Sequence, residues 1–192
     1  MSGEFISAEV LRKIPIFGRM NDTERRQLAE IGATVAYAPG DVILRQGGSS
    51  QNLWVVLDGN CEVVKDPDAN QPRAKEVRLA VLEPFSNFGE MSFFHPAPHS
   101  ASVRAKSAVK LLRIERADYE ELVEEGASAA YKLSCNAIDS LAERLRRMDE
   151  WVAELLLPAA GAAAEAQSDG VVSERVPEWS RFRDKLFTGW NL

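Results

Sequence analysis

Apolar positions recur at helical spacing at both ends of the chain and at strand spacing in its middle. Val10, Leu11 and Ile14 share one face of a short helix over 8–14, which Pro15 and Gly18 close. Asn21 followed three residues later by Glu24 reads as a reciprocal N-terminal cap. It starts a second helix with Leu28 and Ile31 as its stripe and Gly32 as its stop.

From residue 35 the period shortens. Short β-rich runs at 35–38, 42–45, 53–57, 61–65, 77–82, 101–105 and 109–114 are separated by turn pairs such as Pro39-Gly40, Gly47-Gly48 and Asp58-Gly59. The polar stretch 66–75 reads as an exposed hairpin loop. So many short strands imply a sandwich, roll or barrel. Helical spacing returns at 116–124 and again from about 129 to 157. In that longer helix Ile138, Leu141, Leu145, Met148, Val152 and Leu155 alternate steps of three and four, a heptad seam fit for a second copy of the chain. The same stripe would also serve a helix lying on its own roll.

Pro158 is expected to end this helix. Residues 158–177 then read as an Ala/Gly-rich linker, and 178–192 as an amphipathic aromatic tail. In that tail Trp179, Phe182, Leu186 and Trp190 share a face. They suit either a groove on a protein partner or the chain's own roll, including its ligand pocket. A membrane-surface role for this Trp- and Arg-bearing tail is a weaker option.

Composition narrows the picture. The chain of 192 residues is 45% hydrophobic and 27% charged, which supports one folded domain with accessory helices (1–157). The net charge of -6 argues against broad nucleic-acid binding. Cys61 and Cys135 form no C-x-x-C pair, so they read as small hydrophobes. Neither a signal-peptide pattern nor an apolar run of bilayer length is present, so the expected location is cytoplasmic.

The most informative segment runs from Phe88-Gly89-Glu90-Met91-Ser92 to Pro98-His99-Ser100-Ala101. Gly89 allows close backbone approach, and the amides of Gly89, Glu90 and Met91 open a helical turn able to face an anion. This pattern resembles the phosphate-binding cassette of the cyclic-nucleotide-binding domain family, of the type in the catabolite activator protein and protein kinase A regulatory subunits. Leu44-Arg45-Gln46-Gly47, Leu53-Trp54-Val55-Val56-Leu57-Asp58-Gly59 and Leu79-Ala80-Val81-Leu82-Glu83-Pro84 resemble the family's upstream strands. The resemblance implies an α+β fold: an antiparallel β-roll of double-stranded jelly-roll type, flanked by N-terminal helices and a long C-terminal helix. It implies cyclic AMP or cyclic GMP as ligand and Phe88, Gly89, Glu90, Met91, His99, Ser100 and Ala101 as the ligand-binding set, with Glu90 on the ribose hydroxyl.

One position departs from the family pattern: His99 stands where an arginine pairs with the cyclic phosphate. Arginine is always charged and presents a planar fork of donors. Histidine offers at most two donors and ionises near pH ~6.5. Three readings stay open: a pocket that has lost cyclic nucleotides, a pocket of weaker or altered specificity, and a metal site using His95 and His99. The prolines at 96 and 98 disfavour the helical geometry that a metal pair four residues apart would need.

No helix-turn-helix pattern follows residue 157, so no DNA contact is expected. The leading expectation is a non-enzymatic regulatory or adaptor module, a homodimer acting through a protein partner. A functional cAMP/cGMP sensor is the alternative. A cupin-like metalloenzyme is the remote one, since only two histidines are present and cupins need several around a metal.

Overall fold

The computed structural model describes residues 6, 8–66 and 76–165. Helix α1 (Ala8–Arg12) leads through a 3-10 turn at Pro15–Phe17 into α2 (Asp22–Glu30). The cap of α2 forms as its sequence predicts. Asn21 Oδ1 accepts the Glu24 amide at 2.9 Å, and Glu24 Oε2 accepts the Asn21 amide at 2.7 Å.

Seven strands follow the expected runs closely: β1 (Gly32–Tyr37), β2 (Val42–Leu44), β3 (Asn52–Asp58), β4 (Cys61–Lys65), β5 (Val77–Leu82), β7 (Ser102–Ala105) and β8 (Val109–Glu115). The two-residue strand β6 (Asn87–Phe88) was not anticipated, because two residues show no period. Helix α3 (Glu90–Phe94) lies between β6 and β7; α4 (Arg116–Glu124) and α5 (Ser128–Glu165) follow β8. Residues 67–75, most of the expected hairpin loop, lie outside the described residues.

The strands form two four-stranded antiparallel sheets, ordered β1-β8-β3-β6 and β2-β7-β4-β5. Apolar residues on both faces of β3 and β8 explain why their sequences read as continuous runs. Trp54, Val56, Val109 and Leu111 join the core between the sheets, with Leu44, Cys61, Phe88 and Val103. Leu53, Val55, Leu112 and Ile114 face the other way, onto a core built with the helices. There α1, the turn at Pro15–Phe17 and α2 supply Leu11, Ile14, Ile16, Phe17 and Leu28. The first turns of α5 add Ala129, Ala130, Leu133 and Ala137, a stripe at helical spacing. Asn136 Nδ2 secures this packing by donating to the carbonyls of Ile16 (3.0 Å) and Gly18 (2.7 Å).

The compact unit that carries the roll ends at Leu141, within α5; the described part of the second unit, residues 142–165, is helical throughout. The expected stop at Pro158 is therefore overturned, and 158–165 is helix rather than linker. Proline removes one intrahelical hydrogen bond, yet its fixed φ suits a helix. Ala159, Ala160, Ala162, Ala163 and Ala164 follow it, and alanine is the strongest helix former. The tail residues Trp179, Phe182, Leu186 and Trp190 lie outside the described residues.

Candidate functional site

The cassette begins where β6 meets α3. Phe88 is buried and stacks on Trp54 of β3, with ring centroids 6.1 Å apart and planes 6° from parallel. Gly89 has φ +84°, and a Cβ there would lie 2.4 Å from the Asn52 carbonyl oxygen. Glycine is required on both counts, and it lets α3 start hard against β3. The Glu90 side chain is almost wholly enclosed, at 1% exposure, and its Oε2 accepts from Asn87 Nδ2 at 3.3 Å. Met91 is exposed, whereas Ser92 and Phe93 turn inward.

Beyond α3 the chain returns through Pro96 and Pro98 to His99. The His99 amide donates to the Gly48 carbonyl (2.8 Å), and the His99 carbonyl accepts from the Gly47 amide (2.9 Å). The turn between β2 and β3 and the second half of the cassette are thereby zipped together. Two further bonds extend the seam: the Gln46 amide donates to Ser102 Oγ (2.9 Å), and Lys65 Nζ to the Ser100 carbonyl (3.0 Å). The Ser100 residue itself is exposed and Ala101 half-buried.

The His99 ring is 6% exposed and lies between two hydroxyls. Ser50 Oγ is 2.8 Å from Nε2 and Ser92 Oγ is 2.9 Å from Nδ1. In a neutral imidazole one nitrogen donates and the other accepts, and serine hydroxyls rotate to complement either tautomer. Burial pushes the imidazole below its ordinary value. The ring at this position is thus neutral at pH 7 and held by neutral partners.

Phe88, Gly89, Glu90, His99, Ser100 and Ala101 accordingly stand around one turn-and-helix unit, with the Met91 side chain directed outward. Ser50, Asn87 and the hydroxyl of Ser92 were not singled out by the sequence. Ser50 sits in Gly47-Gly48-Ser49-Ser50, which reads only as turn punctuation, and its contact with His99 spans 49 positions. His95 is exposed while His99 is buried. No cluster of three or more His, Cys, Asp or Glu side chains suited to a metal occurs among the described residues.

Along α5, Ile138, Leu145 and Met148 are exposed, and Leu141 and Val152 are half-buried; the Leu155 side chain lies outside those described. Among the described residues no helix is long and apolar enough to cross a membrane.

Residues 34–126 match the family model described as the cyclic nucleotide-binding domain. The chain is 28% identical over 113 residues to the cAMP-dependent protein kinase regulatory subunit of Blastocladiella emersonii, a match covering 59% of this chain and 27% of that protein. The chain thus spans about a quarter of the length of the curated relatives it matches. The solved N-terminal domain of a transcriptional regulator from Streptomyces coelicolor A3(2) is 29% identical with a TM-score of 0.61, over 74% of this chain and 94% of that one. The Thermus thermophilus catabolite activator protein is 28% identical with a TM-score of 0.65, over 76% of this chain and 65% of that one. These relatives are regulatory proteins. The roll, the glycine-started cassette and the family match coincide in one stretch: residues 34–126 carry a cyclic nucleotide-binding domain.

Proposed function

We propose that this chain is a non-enzymatic regulatory module whose cassette has lost charge-based capture of a cyclic phosphate, and whose output goes to protein partners. The observation that carries this reading is the Ser50–His99–Ser92 arrangement: a buried, neutral ring stands at the position of the family's arginine. A hydrogen bond to a charged group contributes about 1.5–3 kcal/mol. Its loss weakens phosphate binding by roughly 10- to 150-fold.

Calorimetry with cAMP and cGMP tests this. Wild type should bind neither nucleotide at micromolar concentration, and His99→Arg should strengthen binding by roughly 10- to 150-fold. Micromolar binding by wild type would remove the proposal in favour of a second reading, a cAMP or cGMP sensor of weakened or altered specificity. The backbone of Gly89 and the enclosed Glu90 carboxylate support that second reading, as does the similarity to regulatory subunits of cAMP-dependent protein kinases.

The module acts as a homodimer through α5. The exposed Ile138, Leu145 and Met148 share the heptad seam with Leu141, Val152 and Leu155. In a parallel pair Arg144 and Asp149 fall at positions g and e, where opposite charges face each other across the seam. Sedimentation equilibrium of the full chain should give a dimer at micromolar concentration and a monomer for Leu145→Glu. A wild-type monomer at that concentration would eliminate the pairing. The expected cytoplasmic location and the partner-seeking tail, Trp179 to Trp190, belong to the same proposal.

A further inference from the structure

The two hydroxyls on the His99 ring differ in access. Ser50, in the turn before β3, is exposed, whereas Ser92, within α3, is buried. The ring between them is buried, and both of its nitrogens are taken, Nε2 by Ser50 Oγ at 2.8 Å and Nδ1 by Ser92 Oγ at 2.9 Å. Of these three side chains, a ligand can therefore meet Ser50 but not the imidazole. The backbone seam between His99 and Gly47-Gly48 holds the turn that carries Ser50 against the cassette.

A proton would reorganise this row. A neutral ring brings one N–H, and each serine brings one O–H. Two of these three hydrogens make the row's two bonds. In one tautomer the Ser50 hydrogen is held by Nε2, and Ser50 turns only lone pairs outward. An imidazolium donates from both nitrogens, so both serines accept and both of their hydrogens are released. Ser50 is then fixed as an outward donor, polarised by a full positive charge one hydrogen bond behind it. An oxyanion on Ser50 favours the charged ring in return.

No neighbouring charge sets the ring's state beforehand. It is packed between the turn before β3, α3 and the loop into β7, and the charged or titratable side chains on or beside these are Arg45, Lys65, Glu90 and His95. Arg45 and His95 are exposed, Lys65 Nζ donates to the Ser100 carbonyl, and Glu90 Oε2 accepts from Asn87. Burial is the cause that keeps the ring neutral, and an arriving anion opposes it.

We infer that the Ser50–His99–Ser92 row is a proton-gated oxyanion site: the cassette takes up one proton together with a phosphodiester oxygen, and Ser50 is the side chain that touches that oxygen. This rests on the reading proposed above for the cassette and adds how the site is regulated.

Calorimetry of the full chain with cAMP at pH 8, 7 and 6, in buffers free of phosphate and sulfate, tests it. Affinity should rise by about tenfold for each unit of acidification while the free ring stays neutral, with about one proton taken up per ligand when buffers of different ionisation enthalpy are compared. Adenosine, which lacks the phosphate, should show no such rise. Ser50→Ala, at an exposed position, should lose most of the rise, and His99→Arg should bind with an affinity that pH does not alter. Ser49→Ala and His95→Gln, both at exposed positions, should behave as wild type. Melting curves of all variants check that the fold persists. A wild-type affinity that is flat with pH, or no binding at any of these pH values, overturns the inference and leaves the neutral-cassette reading standing. Micromolar binding at pH 8 removes that reading and the inference with it. A full rise in Ser50→Ala, or its loss in His95→Gln, puts the donor or the proton elsewhere and overturns the inference as well.

Discussion

Glu24, at the joint of α2 and α5, keeps its charge in the interior, whereas His99, in the cassette, is held neutral. Both are almost fully enclosed, so enclosure is not what separates them. The partners are. Glu24 receives Lys132 Nζ at 2.8 Å, the Asn21 amide at 2.7 Å and Ser128 Oγ at 2.8 Å, donors from one helix, α5, and from the cap of α2. The bond from Lys132 does most to hold its carboxyl down to about 2, followed by those from Asn21 and Ser128. His99 meets only the hydroxyls of Ser50 and Ser92, with no carboxylate to stabilise an imidazolium, and burial alone decides its state. A charge persists inside this protein where oriented donors oppose it, and lapses where the neighbours are neutral.

The comparison breaks most sharply at Lys132. Lys132→Met leaves the Glu24 carboxylate enclosed with one cap amide and one hydroxyl. The melting temperature should fall further than for any substitution at His99. The Glu24 titration, followed by carboxyl-carbon NMR, should move upward from about 2. An unmoved titration would show that the cap alone holds the charge.

A smaller effect sharpens the contrast through pH. The Glu24 carboxyl titrates lower in the folded chain than in the unfolded one. Its contribution is complete above about 4.5 and is lost as pH falls toward about 2. His99 is also lowered in the fold, so it too contributes above its unfolded value near ~6.5. That contribution drains away as pH falls below ~6.5, until the ring protonates within the fold. Denaturant melts from pH 8 to 3 should show a shallow loss beginning near pH ~6.5 and a steeper one below about 4.5. His99→Gln should abolish the first and retain the second. Persistence of the shallow loss in that variant would assign it to another group.

What could be read in advance follows the range of each interaction. The reciprocal cap of Asn21 and Glu24 closes over three residues, so the sequence predicts it; the use of the same carboxylate by Ser128 and Lys132 spans 104 and 108 positions, so it does not. In the cassette, Phe88-Gly89-Glu90 and Pro98-His99 announce themselves by residue type and order, because a positive φ and a close approach to Asn52 demand glycine. That residue 99 is a histidine is likewise visible in the sequence. That its imidazole is sheltered between Ser50 and Ser92 is visible only in three dimensions, since one of those serines comes from the turn before β3. Pro158 erred in the other direction: a local rule for a helix stop gave way to the alanine run beyond it.

By itself the sequence determined the roll, most of its strands, the cap of α2 and the order of residues from Phe88 to Ala101. Each is written in local period, turn chemistry or motif order. Only the tertiary structure decided that Glu24 stays charged and His99 does not. Solvation and pairing inside a fold are set by residues distant in the chain, and local patterns carry no record of them.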